Sequence, residues 1–126
     1  MKHIQLAETE YAFAEIIWEA GKISSGDLVR ECEKRFQWKK STSYTVLRRL
    51  CDKGILKNKD SFVTALISKK EYEAIQTEQF IENNFDGSLP RFLTAFMSRK
   101  KLSKKQIQEI QKMIDDYSFE SNTKST

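Results

Sequence analysis

Residues 38–54 read Trp38-Lys39-Lys40-Ser41-Thr42-Ser43-Tyr44-Thr45-Val46-Leu47-Arg48-Arg49-Leu50-Cys51-Asp52-Lys53-Gly54, and the spacing of side chains within them decides the fold. On a helix, Ser43, Val46, Leu47, Leu50 and Gly54 share one side, while Ser41, Tyr44, Thr45, Arg48 and Asp52 share the other. The first side suits a core. The second offers hydroxyls, an aromatic edge and a guanidinium to a polar partner. Gly54 is the stop signal, and Lys39-Lys40-Ser41 is the polar turn that precedes the helix.

Two more helices precede this one. Leu6, Phe13, Ile16, Ile17 and Ala20 recur at helical spacing and predict a first helix over about 7–20, ended by Gly21. Ser24 or Ser25 caps a second, whose stripe is Leu28, Val29, Cys32 and Phe36 and which ends near Phe36 or Trp38. After Gly54 come two short β-type runs, Ile55–Lys57 and Phe62–Ile67, joined by the turn-prone Asn58-Lys59-Asp60-Ser61.

From Lys69 the helical period returns. Tyr72, Ile75, Gln79/Phe80 and Asn83 mark a fourth helix that ends near Asp86-Gly87. Ser88 caps a fifth, with Pro90 in its first turn and the stripe Leu89, Phe92, Leu93, Phe96, Met97. Ser103 caps a sixth, with Leu102 as a hydrophobic staple and the stripe Ile107, Ile110, Ile114, Tyr117. The polar end from Glu120 is expected to be disordered. The expected fold is mainly α (α+β). A winged helix-turn-helix with a two-stranded wing occupies residues 1–70, a helical dimerisation module 71–118, and a disordered tail 119–126.

Composition narrows the function. No apolar run approaches the roughly 18 residues that cross a bilayer, and the start MKHIQLAETEYAF lacks a secretory apolar stretch, so no membrane partner and a cytoplasmic setting are expected. Cys32 and Cys51 are isolated thiols without CxxC spacing, read as small buried apolar residues; a redox pair or metal clip is the alternative. The single histidine, His3, sits in an expectedly mobile N-terminus. With so few ligands and no phosphate-cradling glycine loop, neither metal, cofactor nor catalysis is expected.

Charge is segregated. Residues 1–20 carry −3, residues 21–70 carry +8 and residues 71–126 carry −1 within a total of +4. A basic middle between acidic or neutral ends points to a polyanion-binding surface, with a merely solvated basic face as the alternative. In a winged helix the third helix enters the major groove while neighbouring elements straddle phosphates. Ser41, Thr42, Tyr44, Thr45 and Arg48 are therefore assigned to base reading, and Lys39, Lys40, Arg49, Lys57 and Lys59 to phosphates. Each has a rival. Tyr44 can instead fill a gap between helices 1 and 3, Arg48 can pair with Asp52, and Arg49 can meet a core-edge carboxylate. Trp38 reads as a pin between helices 2 and 3, with a base-stacking platform as the alternative.

The stripe Leu89, Phe92, Leu93, Phe96 asks for a cover, since four such side chains in water cost several kcal/mol at roughly 1.5–3 each. Burial across a two-fold axis supplies one. The expected dimer interface is Leu89, Phe92, Leu93, Phe96, Ile107, Ile110, Ile114 and Tyr117, with packing of these helices on the winged domain as the alternative.

Taken together, the segment Trp38–Gly54, Ile16-Ile17-Trp18, and Gly87-Ser-Leu-Pro-Arg-Phe-Leu-Thr-Ala-Phe96 followed by Leu102-Ser103 resemble the penicillinase repressor (BlaI/MecI) family over about residues 5–118. The resemblance implies a homodimer that binds a palindromic double-stranded DNA operator and blocks transcription, with helices 4–6 supplying the interface. In antibiotic-resistance members a sensor-linked protease cuts an Asn–Phe bond in helix 5; the matching bond here is Ala95–Phe96, a departure in the first residue. The copper-responsive branch carries a cysteine-rich tail, which this sequence lacks. A protein-interaction adaptor without sequence-specific DNA binding is the alternative function.

Overall fold

The computed structural model describes the backbone of residues 4–124 and the side chains through Tyr117; His3 and residues 125–126 lie outside the described residues. The order is α1 (Glu8–Ala20), β1 (Lys22–Ser24), α2 (Ser25–Phe36), α3 (Lys40–Asp52), β2 (Leu56–Lys59), β3 (Phe62–Ala65), α4 (Lys69–Phe85), α5 (Leu89–Arg99) and α6 (Lys104–Lys124). Two compact units divide after Phe80, within α4. The division expected after residue 70 falls ten residues later because the first half of α4 belongs to the first core. Tyr72 is buried there and its hydroxyl accepts from the Leu6 N–H at 3.1 Å, while the Gln76 amide donates to the Ile4 carbonyl.

In the first unit the helix ends follow the local chemistry. Gly21 leaves α1 at φ 77°, a conformation that costs a residue with a Cβ, and its N–H returns to the Ile17 carbonyl at 2.8 Å. Ser24 Oγ accepts from the Asp27 N–H at 3.1 Å and caps α2. The inward stripes then meet: Phe13, Ile16 and Ile17 of α1, Leu28 and Cys32 of α2, Val46, Leu47 and Leu50 of α3, with Ile55, Leu56 and Val63 below. Each such apolar side chain stabilises by roughly 1.5–3 kcal/mol. Trp38 packs its ring on Phe36 of α2 at 4.8 Å and on Phe13 of α1 at 6.1 Å, half-buried against the core rather than pinned between α2 and α3 as expected.

The wing is the expected two-stranded hairpin, β2 and β3, and a third short strand, β1, joins it. The sheet has three, in the order β1-β3-β2 and antiparallel throughout. Strand β1 escapes a sequence reading because it is three residues long and only Ile23 turns toward the core. The hairpin is also tighter than expected. Lys59 pairs with Phe62, so Asp60 and Ser61 alone make the turn, at φ 53° and 65°. Two adjacent positive φ values are what a two-residue I′ turn demands.

In the second unit, Ser88 Oγ accepts from the Arg91 N–H at 3.2 Å at the start of α5, with Pro90 in the first turn. Ser103 and Gln106 cap α6 reciprocally, at 3.1 and 3.0 Å. Phe92 meets Phe85 edge-on at 5.6 Å and Phe96 at 6.3 Å. The α6 backbone is helical to Lys124, where a disordered segment was expected from 119: no Gly or Pro follows Tyr117 to stop it.

Candidate nucleic-acid interface

Helix α3 is held from behind. Its Ser43, Val46, Leu47 and Leu50 are buried, so the opposite side is fixed outward. That side carries Ser41, Thr42, Thr45 and Arg48 exposed, with Tyr44 half-buried at its edge. Thr45 Oγ1 donates to the Ser41 carbonyl at 2.9 Å and keeps its lone pairs available. Among the described residues no carboxylate pairs with Arg48; the i+4 partner Asp52 is not engaged. Tyr44 packs partly against the core. It lines an open groove between α3 and the wing with Leu47, Arg48, Cys51, Leu56, Lys57 and Leu66, and Lys40 Nζ lies 5.9 Å from its ring centroid.

Arg49 sits about 100° further round the helix, toward α1. Its Nη1 lies 3.5 Å from Glu10 Oε2, while the side chain stays 54% exposed. Glu10 is 3% exposed, accepts from Lys53 Nζ and from the Ala7 N–H at 2.9 Å each, and so ties the end of α3 to the start of α1. Burial pushes this carboxyl up. The Lys53 and Ala7 hydrogen bonds, the Lys53 charge and the Arg49 contact outweigh burial and hold it below the ordinary range.

The lysines ahead of α3 and on the wing are all exposed. Sheet register adds one that the sequence reading missed. Lys22 of β1 and Lys57 of β2 both pair with Thr64, so Lys22, Lys57 and Lys59 share the outer face of the sheet around Phe62. Lys22 Nζ lies 4.7 Å from the Phe62 ring centroid. The signal was the basic residue after Gly21, but without β1 nothing connected it to the wing. No ion pair engages Lys22, Lys39, Lys40, Lys57 or Lys59 among the described residues.

Cys32 and Cys51 are free, and burial pushes both thiols up, away from thiolate chemistry. No cluster of metal-ligating side chains occurs among the described residues, and none of their helices is long and apolar enough to cross a membrane.

The second unit presents apolar surface. Leu89, Phe96, Met97, Ile107 and Ile114 are about half exposed and Tyr117 is 72% exposed. Of the expected interface, Phe92, Leu93 and Ile110 are half-buried within the unit. The Ala95–Phe96 bond lies inside α5, and both its residues are exposed.

The family model described as Penicillinase repressor matches residues 6–116. The chain is 26% identical over 122 residues to the penicillinase repressor of Bacillus licheniformis, covering 93% of this chain and 95% of that one. It is 22% identical over 118 residues to the methicillin resistance regulatory protein MecI of Staphylococcus aureus, covering 90% and 96%. It is also similar to a solution structure of the DNA-binding domain of the repressor BlaI, at 32% identity and a TM-score of 0.49 over 57% of this chain and 94% of that one. With that pattern running from Leu6 to Asp116, the chain belongs to the penicillinase repressor family.

Proposed function

We propose that this protein is a transcriptional repressor that binds a palindromic duplex operator as a homodimer, in the cytoplasm, with neither catalysis nor cofactor. The observation that carries the reading is the outer side of α3. Its guanidinium and hydroxyls face solvent without an ion-pair partner on a helix locked into the core from behind. Arg48 suits bidentate contact with guanine, and Ser41, Thr42, Thr45 and Tyr44 offer donors, acceptors and an apolar edge to neighbouring bases. Lys39, Lys40, Arg49, Lys57 and Lys59 hold phosphates and set register. Arg49 keeps donors facing solvent beside its 3.5 Å contact with Glu10.

A dimer places two α3 helices in successive major grooves roughly 34 Å apart. The exposed apolar residues of α5 and α6 support the pairing, since one face can serve both subunits. Relief then comes from loss of the dimer. A sensor-linked protease acting at Ala95–Phe96 would achieve it, after local unwinding of α5, because a bond inside a helix is not extended for cleavage.

Selection of bound fragments from random and genomic DNA tests the reading. Enrichment of an inverted repeat with half-sites one helical turn apart is the expected result; binding without enrichment would favour the adaptor alternative.

A further inference from the structure

The charge of the second unit is unevenly placed. Five of its eight cations, Arg99, Lys100, Lys101, Lys104 and Lys105, fall within seven residues at the corner between α5 and α6. No Asp or Glu occurs between Asp86 and Glu109. All five side chains are exposed, and none is in an ion pair among the described residues. The corner itself is ordered. Lys100 N–H returns to the Phe96 carbonyl at 3.0 Å, and the Ser103–Gln106 box fixes the start of α6.

Two of these lysines occupy the first turn of α6, which holds no acid. Cations there repel the positive end of the helix, where an anion is the favoured neighbour. The corner is thus less stable on its own than a mixed-charge one, and an anion laid across it would relieve the repulsion.

We infer that the Arg99–Lys105 corner is a second phosphate-binding surface that holds the duplex backbone. This rests on the DNA-binding reading above. Four of the five cations are lysines, flexible point charges that follow a phosphate backbone without demanding the planar geometry an arginine cluster imposes on carboxylates. Duplex DNA offers one charge per roughly 1.7 Å, so a short cationic corner finds several within reach. A duplex held by α3 and long enough to reach the corner would present phosphates to it as an intramolecular event, an advantage over a free polyanion in dilute solution. The contact is with phosphates and adds affinity without sequence preference.

The test is the full chain carrying K100Q, K101Q, K104Q and K105Q together. Dissociation constants are measured against KCl for a duplex recovered by selection and for a scrambled duplex, alongside sedimentation and circular dichroism. Each lost phosphate contact reduces the slope of log K on log salt by ~0.9, so a fall of roughly two to four units per subunit, about twice that for the homodimer, is expected, equal for both duplexes. Dimer mass and the ratio of the two affinities should not change, and the melting temperature should hold or rise as first-turn repulsion is removed. If the quadruple variant melts lower, the K100Q/K101Q pair, outside either helix, gives the same reading with a smaller slope change. An unchanged slope overturns the inference, including where the variant instead loses binding to phosphatidylglycerol vesicles that the wild type retains. Failure of the wild type to distinguish the two duplexes would defeat the repressor reading alone, and the slope comparison would still decide the role of the corner.

Discussion

Lys53 Nζ lies 2.9 Å from Glu10 Oε1, joining the end of α3 to the first turn of α1 across 43 residues of sequence. The same ammonium donates to the Gln5 carbonyl at 3.2 Å, and Arg49 approaches the other carboxylate oxygen. The proposed reading helix is therefore fixed at its far end by charge-assisted bonds as well as by its apolar side.

The first prediction concerns that cluster. Because the folded carboxyl of Glu10 titrates below the ordinary 4.5, its charged form stabilises the fold at every pH above that value. The contribution falls away as pH drops below 4.5 through the folded value. Urea midpoints measured from pH 7 to pH 3 should decline in that acid window, and Glu10→Gln should flatten the decline. Lys53→Met should cost about 1–3 kcal/mol at pH 7, the usual loss when a buried charged group gives up a hydrogen bond.

A second prediction tests the wing turn. Ser61 has φ 65° without being glycine, and its carbonyl accepts from the Ser25 N–H at 2.8 Å. Ser61→Gly should stabilise by about 0.5–1 kcal/mol, relief of the left-handed backbone outweighing the extra freedom of the unfolded chain. A thermal melt that moves down instead would mean that the turn is not of this type.

The third separates interface from interior in the second unit. Phe96→Asp or Ile114→Asp should give monomers in sedimentation with helix content retained, because both side chains are half exposed in the single chain. Phe92→Asp should lower stability as well, since that ring is half-buried between Phe85 and Phe96. A dimer that survives Phe96→Asp and Ile114→Asp would move the interface elsewhere.

Fourth, the three lysines on the outer face of the sheet should act together. Lys57→Ala or Lys59→Ala should weaken binding to operator and random duplex alike and reduce the salt slope by ~0.9 per subunit, about 1.8 for the homodimer. Lys22→Ala should do the same if the duplex reaches across the sheet to β1. An effect on sequence discrimination, with the slope unchanged, would mean that these residues touch bases.

Much of this architecture was legible in the sequence because it is written locally. The two faces of α3, the stop at Gly21 and the caps at Ser24, Ser88 and Ser103 follow from residue spacing and short-range hydrogen bonding. Features that depend on distant partners were not. Strand β1 becomes recognisable only when Ile23 lies across from Val63, and Lys22 joins the wing lysines only through that register. The engagement of Arg49 by Glu10 needed the position of α1. The boundary near Phe80 needed the burial of Tyr72, which a helical period does not reveal.

The central claim is that the exposed side of α3 reads bases, and Arg48→Ala tests it most directly. Gel-shift titrations of wild type and variant on the selected operator and on a scrambled duplex give the specificity ratio for each. A lost guanine contact of about 1–3 kcal/mol in each half-site should lower operator affinity by roughly thirtyfold or more with little change on the scrambled duplex. Equal operator affinity for wild type and variant would contradict the assignment.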